Sequence, residues 1–125
     1  MTYQLNIVPG ELTLPQLRKV QQGAVQLTLD ATALPGIEAS AQTVANIIAE
    51  DRTVYGINTG FGPLCDTQIS PAETALLQKN LLITHAVGVG EPIAKAISKL
   101  MLITKVHALS QGYSGVRLEV VERVE

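Results

Sequence analysis

Between Arg52 and Gly62 the chain reads R-T-V-Y-G-I-N-T-G-F-G, with Gly56, Gly60 and Gly62 falling within seven residues. Glycine accepts positive φ and lets other groups approach the backbone. A stretch this rich in it is neither a helix nor an ordinary strand, so the fold must carry an irregular loop here. Tyr55 and Phe61 lie in this loop, and Tyr113 lies in a second glycine-flanked turn, Gly112-Tyr113-Ser114-Gly115. The chain has only three tyrosines, one phenylalanine and no tryptophan. Its core must therefore be aliphatic, and its aromatics are set aside for contacts made from loops. The alternative is that Tyr55 and Phe61 only pin the loop to the core.

Around the loop, hydrophobic periodicity predicts short strands and longer helices. Tyr3, Leu5 and Ile7 alternate with polar residues, as do Val25, Leu27 and Leu29, so each run predicts a short strand. Thr13 with Gln16 and Pro15 predicts a helix start, and that helix runs to about Gln22 before Gly23. Asp30 or Thr32 opens the next helix. Its apolar positions Ile37, Ala41, Val44, Ala45 and Ile48 carry it to about Glu50. Ser70-Pro71-Ala72-Glu73 predicts a capping box and a helix to Ala86. Glu91-Pro92 predicts another, ending at Gly112, whose middle from Leu100 to Ile103 is apolar on every side. Ser114 is the expected cap of the last helix. Its stripe of Val116, Val120, Val121 and Val124 reaches Glu125 with no stop signal. The expectation is a mainly α chain, one portion of a longer protein spanning 1–125, whose all-round apolar helices need partners outside it. No repeat, low-complexity linker or second domain boundary is legible.

Composition narrows the function. The 125 residues carry a formal net charge of −2 and no basic cluster, which argues against nucleic acid or anionic membrane as partners. No stretch is long enough for a membrane span, and the start lacks the pattern of a signal peptide. Cys65 is the single cysteine, so no internal disulfide forms, and a cytoplasmic setting is the default expectation. Gly60-Phe61-Gly62 and Gly88-Val89-Gly90 both lack the third glycine of a dinucleotide fingerprint. Neither leads into the Lys-Ser/Thr of a phosphate loop. His85 and His107 have no carboxylate or cysteine at ligand spacing, so no metal is expected. Each histidine reads as structural, His85 as a helix C-terminal residue favoured by the dipole. Arg52, Asp66 and Arg117 read as single loop charges.

Three blocks carry a more specific signal: Tyr55 to Gly62 (Y-G-I-N-T-G-F-G), Thr84 to Gly90 (T-H-A-V-G-V-G) and Gly112 to Arg117 (G-Y-S-G-V-R). In this order and spacing they resemble the aromatic amino acid ammonia-lyases, most closely the histidine-acting members. The resemblance extends over essentially the whole chain. It implies a long-helix bundle of the ammonia-lyase type with short amino-terminal strands, and an aromatic amino acid as small-molecule substrate. It also implies a homotetramer whose active sites are shared between subunits. The implied electrophile is a methylidene-imidazolone formed from an internal Ala-Ser-Gly, with no soluble cofactor. No Ala-Ser-Gly occurs in this sequence, so the chain alone is expected to be inactive.

By the same resemblance Tyr55 is the catalytic residue serving β-proton transfer, a role that requires surroundings able to stabilise a phenolate. His85, Thr84, Asn58 and Gly60 are the implied substrate-binding residues, and Gly56 and Gly62 the hinges of a lid. His85 would hydrogen-bond a substrate imidazole. Histidine-acting members usually carry Ser-His where this chain has Thr84-His85, so substrate choice stays open towards tyrosine or phenylalanine lyases and aminomutases. His107 and Gln111 also depart from the common pattern. A reading of another class is a non-catalytic helical module that self-associates through the exposed faces of the helices over 70–86 and 92–111.

Overall fold

A computed structural model of the chain describes residues 2–62 and 67–124. The expectations for Cys65 and Asp66 fall outside these. The order of elements is β1 (Tyr3–Ile7), α1 (Leu14–Gln22), β2 (Val25–Leu29), α2 (Leu34–Ala49), α3 (Pro71–His85), α4 (Lys95–Ser110) and α5 (Leu118–Val124). A 3-10 turn, Ala31–Ala33, leads into α2. The chain groups into two compact units, Met1–Gln42 with Pro92–Glu125 and Thr43–Glu91. Among the described residues no helix is long and apolar enough to cross a membrane.

The first unit holds the aliphatic core. β1 and β2 pair in parallel, with Leu5 opposite Leu27 and Ile7 opposite Leu29. Parallel pairing needs a crossover, and α1 supplies it. Period-2 alternation turns Leu5 and Ile7 inward. The opposite face carries a polar ladder: Gln4 Nε2 donates to Gln26 Oε1 at 2.8 Å, and Asn6 Nδ2 donates to Asp30 Oδ2 at 2.7 Å. Leu5 and Ile7 pack with Val20, Ala33, Ile37, Ile103, Val106, Leu109 and Val121, all buried. On α4 the buried Ile103, Val106 and Leu109 follow helical spacing, while Met101 and Leu102 between them and the preceding turn face outward. Lys99 Nζ donates to the Gly23 carbonyl, tying the end of α1 to α4. His107 is likewise structural: its Nε2 accepts the Gly10 N–H at 3.1 Å.

The helix starts depart from the sequence reading in three places. α4 begins at Lys95, with its first amides bonding to the Ala94 carbonyl. Glu91 precedes a proline, which disfavours helix there, and no polar capping residue stands between Pro92 and Lys95. α5 begins at Leu118 because Gly115 adopts φ +66 and ends any helical run from Ser114. At α3 the expected reciprocal box is replaced by a direct bond, in which the Ser70 hydroxyl donates to Glu73 Oε2 at 2.7 Å. At α1 the expected capping box of Thr13 and Gln16 forms, the Gln16 Oε1 accepting the Thr13 N–H at 2.8 Å.

Gly112 follows α4 with φ +75, its N–H bonding back to the Leu109 carbonyl at 3.1 Å. Its α-carbon rests on α2: a Cβ there would lie 2.6 Å from the carbonyl carbon of Gly36. A Cβ on Gly36 meets nothing closer than 3.6 Å. Gly112→Ala is therefore expected to destabilise by ~2–4 kcal/mol through strain and overlap. Gly36→Ala, inside a helix, is expected to be neutral or to stabilise by up to ~1 kcal/mol. Denaturant unfolding of the two variants checks this, and equal midpoints would refute the close contact.

Asp30 caps the 3-10 turn. Its carboxylate accepts the Thr32 hydroxyl at 2.6 Å, the Thr32 N–H at 3.0 Å and the Asn6 amide. These bonds, the Thr32 hydroxyl foremost, hold its pKa below the usual 3.8. A depressed folded pKa gives stability that is present above the unfolded value and is lost as pH falls through the folded one. Asp30→Asn is expected to flatten the acid limb of the stability–pH curve and leave the neutral plateau's shape unchanged, as followed by thermal melts across that range.

Candidate functional site

The second unit holds the glycine-rich loop and α3. α2 ends in a Schellman arrangement, with Arg52 N–H bonded to the Ile47 carbonyl and Asp51 N–H to that of Ile48. Asp51 takes the left-handed position, φ 52, and is the only described non-glycine residue with positive φ. Gln68 Nε2 donates to both Asp51 Oδ1, at 2.8 Å, and the Asp51 carbonyl, at 3.2 Å. Thr59 and Gln68 form an isolated antiparallel bridge. Gly60 N–H to the Thr67 carbonyl (3.0 Å) and Ile69 N–H to the Asn58 carbonyl (2.8 Å) complete a closed neck.

Tyr55 stands on a turn beyond that neck. Ile57 N–H bonds to the Val54 carbonyl at 3.1 Å, and Gly56 at the third position has φ +82, the sign a type II turn requires there. Tyr55 is 63% exposed, and its ring meets Phe61 edge-on with centroids 6.0 Å apart. Asn58 is only 4% exposed. Its Oδ1 accepts the Val54 N–H at 2.9 Å, and its Nδ2 donates to the Arg52 carbonyl at 3.0 Å. Thr59 is also buried: its hydroxyl donates to the Gly60 carbonyl and accepts the Gly56 N–H. Gly62 has φ +57, so it and Gly56 both occupy the left-handed region, whereas Gly60 is a buried member of the neck.

His85 lies in the last turn of α3. Its Nδ1 sits 2.9 Å from the Leu81 carbonyl, which can only accept, so Nδ1 carries a proton there, and in the neutral ring with that tautomer Nε2 is an acceptor. The Thr84 hydroxyl donates back to the carbonyls of Asn80, at 2.9 Å, and Leu81, at 3.1 Å, and also lies 3.1 Å from His85 Nδ1. That proton is engaged within the helix, while the hydroxyl oxygen braces the imidazole. Phe61, Gln78, Leu81, Leu82, His85 and Ala86 line one cavity of about 540 Å³, a size suited to a small molecule. Its wall is apolar except for Gln78 and His85. The loop and α3 thus share a single wall around Phe61 and His85, with Tyr55 against the Phe61 edge.

Sequence reasoning did not single out Asp51, Thr59 or Gln68 for the loop's closure. Asp51 carried a usable signal, since an Asp directly after a helix suits the left-handed cap. Gln68 carried none, because its partner is defined only once the loop has closed. A Cβ at Gly56 meets nothing within 4 Å, so only its φ opposes substitution. Gly56→Ala is expected to cost ~1 kcal/mol of local stability and Gly56→Asn less, since Asn tolerates this region. Amide exchange at Ile57 and Asn58 checks this, and unchanged exchange in the Ala variant would refute the turn.

Residues 12–125 match the model of the aromatic amino acid lyase family. Over 118 residues the chain is 50% identical to a histidine ammonia-lyase of Vibrio vulnificus, covering 94% of this chain and 23% of that protein. It is 49% identical, with the same coverage, to a histidine ammonia-lyase of Pseudomonas fluorescens. The crystal structure of histidine ammonia-lyase from Trypanosoma cruzi superposes with a TM-score of 0.82 at 33% identity, covering 99% of this chain and 24% of that one. A tyrosine aminomutase from Streptomyces globisporus shares the fold at a TM-score of 0.88 and 24% identity, over 97% of this chain and 23% of that one. The chain therefore spans about a quarter of the length of the curated relatives it matches. With a match that runs through the glycine loop, the histidine-bearing turn of α3 and the close Gly36–Gly112 contact alike, this chain belongs to the aromatic amino acid lyase family.

Proposed function

We propose that this chain is the amino-terminal part of a cytoplasmic, homotetrameric histidine ammonia-lyase, which eliminates ammonia from L-histidine to give trans-urocanate. The observation that carries the reading is the cavity lined by both Phe61 of the Tyr55 loop and His85 of α3. Identity near 50% to relatives named histidine ammonia-lyase supports it. In this reading the apolar wall of Phe61, Leu81 and Leu82 takes the flat side chain of the substrate and excludes water from it. His85 Nε2 accepts an N–H of the substrate imidazole, and the Leu81 carbonyl and Thr84 hydroxyl fix its ring. Tyr55, presented on its turn, receives the β-proton. A phenylalanine side chain would leave the Nε2 acceptor unpaired, which favours histidine over phenylalanine, whereas a tyrosine hydroxyl could also donate to it, so tyrosine is separated from histidine by the assay below.

The methylidene-imidazolone of the family requires an Ala-Ser-Gly, and none of the residues of this chain can form it. It would supply the electrophile that labilises the amino group. The work of this chain is to hold the side chain and move the proton. The outward Leu82, Ile83, Met101 and Leu102 support a larger assembly around these helices, and they equally support the reading of a self-associating module when the chain is alone.

In a full-length enzyme carrying this segment, Tyr55→Phe is expected to lower kcat by about 10²–10⁴-fold with substrate binding retained, the scale of a lost proton-transfer group. His85→Leu is expected to raise KM for histidine by about 10–100-fold, the scale of an unmade bond to a polar group. Ammonia release on histidine, tyrosine and phenylalanine measures both, and activity on tyrosine with none on histidine would overturn the substrate assignment.

A further inference from the structure

Asn58 was expected among the substrate-binding residues, yet its surroundings are those of a buried fastener. Its side chain is 4% exposed, and both ends of its amide are engaged with backbone on the far side of Tyr55. Oδ1 takes the Val54 N–H and Nδ2 reaches the Arg52 carbonyl, while its own carbonyl receives the Ile69 N–H across the neck. One residue thus fixes the segment entering the Tyr55 turn, the turn's exit and the returning limb of the loop.

We propose that Asn58 is a positioning residue that aims Tyr55, and that it does not contact substrate. The proposal rests on the reading of Tyr55 as the proton-transfer residue. Amide geometry is what the position needs. A side chain that both accepts from Val54 and donates to Arg52 substitutes for the backbone partners that an irregular loop lacks. Asp at this position keeps the acceptor, loses the donor and turns a carboxylate oxygen towards the Arg52 carbonyl. Ala loses both bonds. Either change frees the turn on which Tyr55 stands while leaving the wall formed by Phe61, Leu81, Leu82 and His85 unaltered.

The test is a double-mutant cycle in a full-length enzyme carrying this segment. Asn58→Ala and the isosteric Asn58→Asp are each expected to lower kcat by about 10²-fold, the scale of a misplaced catalytic group, with KM for histidine within about twofold of the parent. In the Tyr55→Phe background Asn58→Ala is expected to cost less than about threefold, because a residue acting through Tyr55 has nothing left to aim. Exchange-protected amides over 54–58 are expected to become labile in both Asn58 variants while the helices keep their protection. Asn58→Asp guards against a truncated variant that fails to fold. A raised KM at unchanged kcat would assign Asn58 to the substrate instead, and an undiminished cost in the Tyr55→Phe background would make it merely structural. Each of these overturns the proposal. Full turnover by Tyr55→Phe overturns the functional reading and removes what Asn58 would position. An inactive Tyr55→Phe beside a fully active Asn58→Ala overturns the positioning role alone.

Discussion

A loop without helix or strand has to find partners for its backbone amides and carbonyls by other means, and here a single side-chain amide supplies two of them. Asn58 bonds to Val54 and Arg52 on either side of its own turn. Each unmade bond would leave a buried polar group costing on the order of 1–3 kcal/mol. Thr59 does the same over a shorter reach, spanning Gly56 and Gly60. With the interior of the loop satisfied in this way, Tyr55 and Phe61 are not required as plugs. They lie exposed, edge to face, where a ligand can meet them. The exposure of the aromatics and the burial of the polar residues are two sides of one arrangement.

The first unit obeys a different constraint. Its core is aliphatic throughout, and aliphatic side chains specify little by themselves beyond volume and face. Uniqueness comes from fixed contacts around that core. The parallel pairing of β1 and β2 sets which side chains turn inward. The backbone contact of Gly112 on Gly36 sets how near the end of α4 comes to the start of α2. His107 ties the loop after β1 to α4 by accepting the Gly10 N–H, a role that fixes one nitrogen as unprotonated.

The long helices leave apolar side chains unpartnered. Leu76, Leu82 and Ile83 on α3, with Met101 and Leu102 on α4, are all more than half exposed. The chain spans 23% of the length of the relatives it matches, and the larger assembly proposed above would cover these faces. The cavity beside His85 is of the same kind, walled on the side this chain provides. The proposed function divides the work in the same way: this wall would grip a side chain and handle a proton, and the electrophile would come from an Ala-Ser-Gly that this sequence does not contain.

Periodicity alone determined the two strands, the presence and order of the five helices and the aliphatic character of the core, because alternation and helical spacing are local properties of the chain. Glycine content alone marked the loop, and the three motif blocks placed the chain in its family. Helix starts at α4 and α5 were less legible, since caps were inferred from residue type where Pro92 and the positive φ of Gly115 governed. The pairing partner and direction of β1, the Gly36–Gly112 contact and the Gln68–Asp51 clasp belonged to the tertiary structure. Each joins residues distant in sequence that have no signature of their own until the chain has folded. The role of Asn58 lies between the two: its presence in the motif was plain, but whether an amide faces a ligand or its own backbone is decided by burial, which only three-dimensional packing sets.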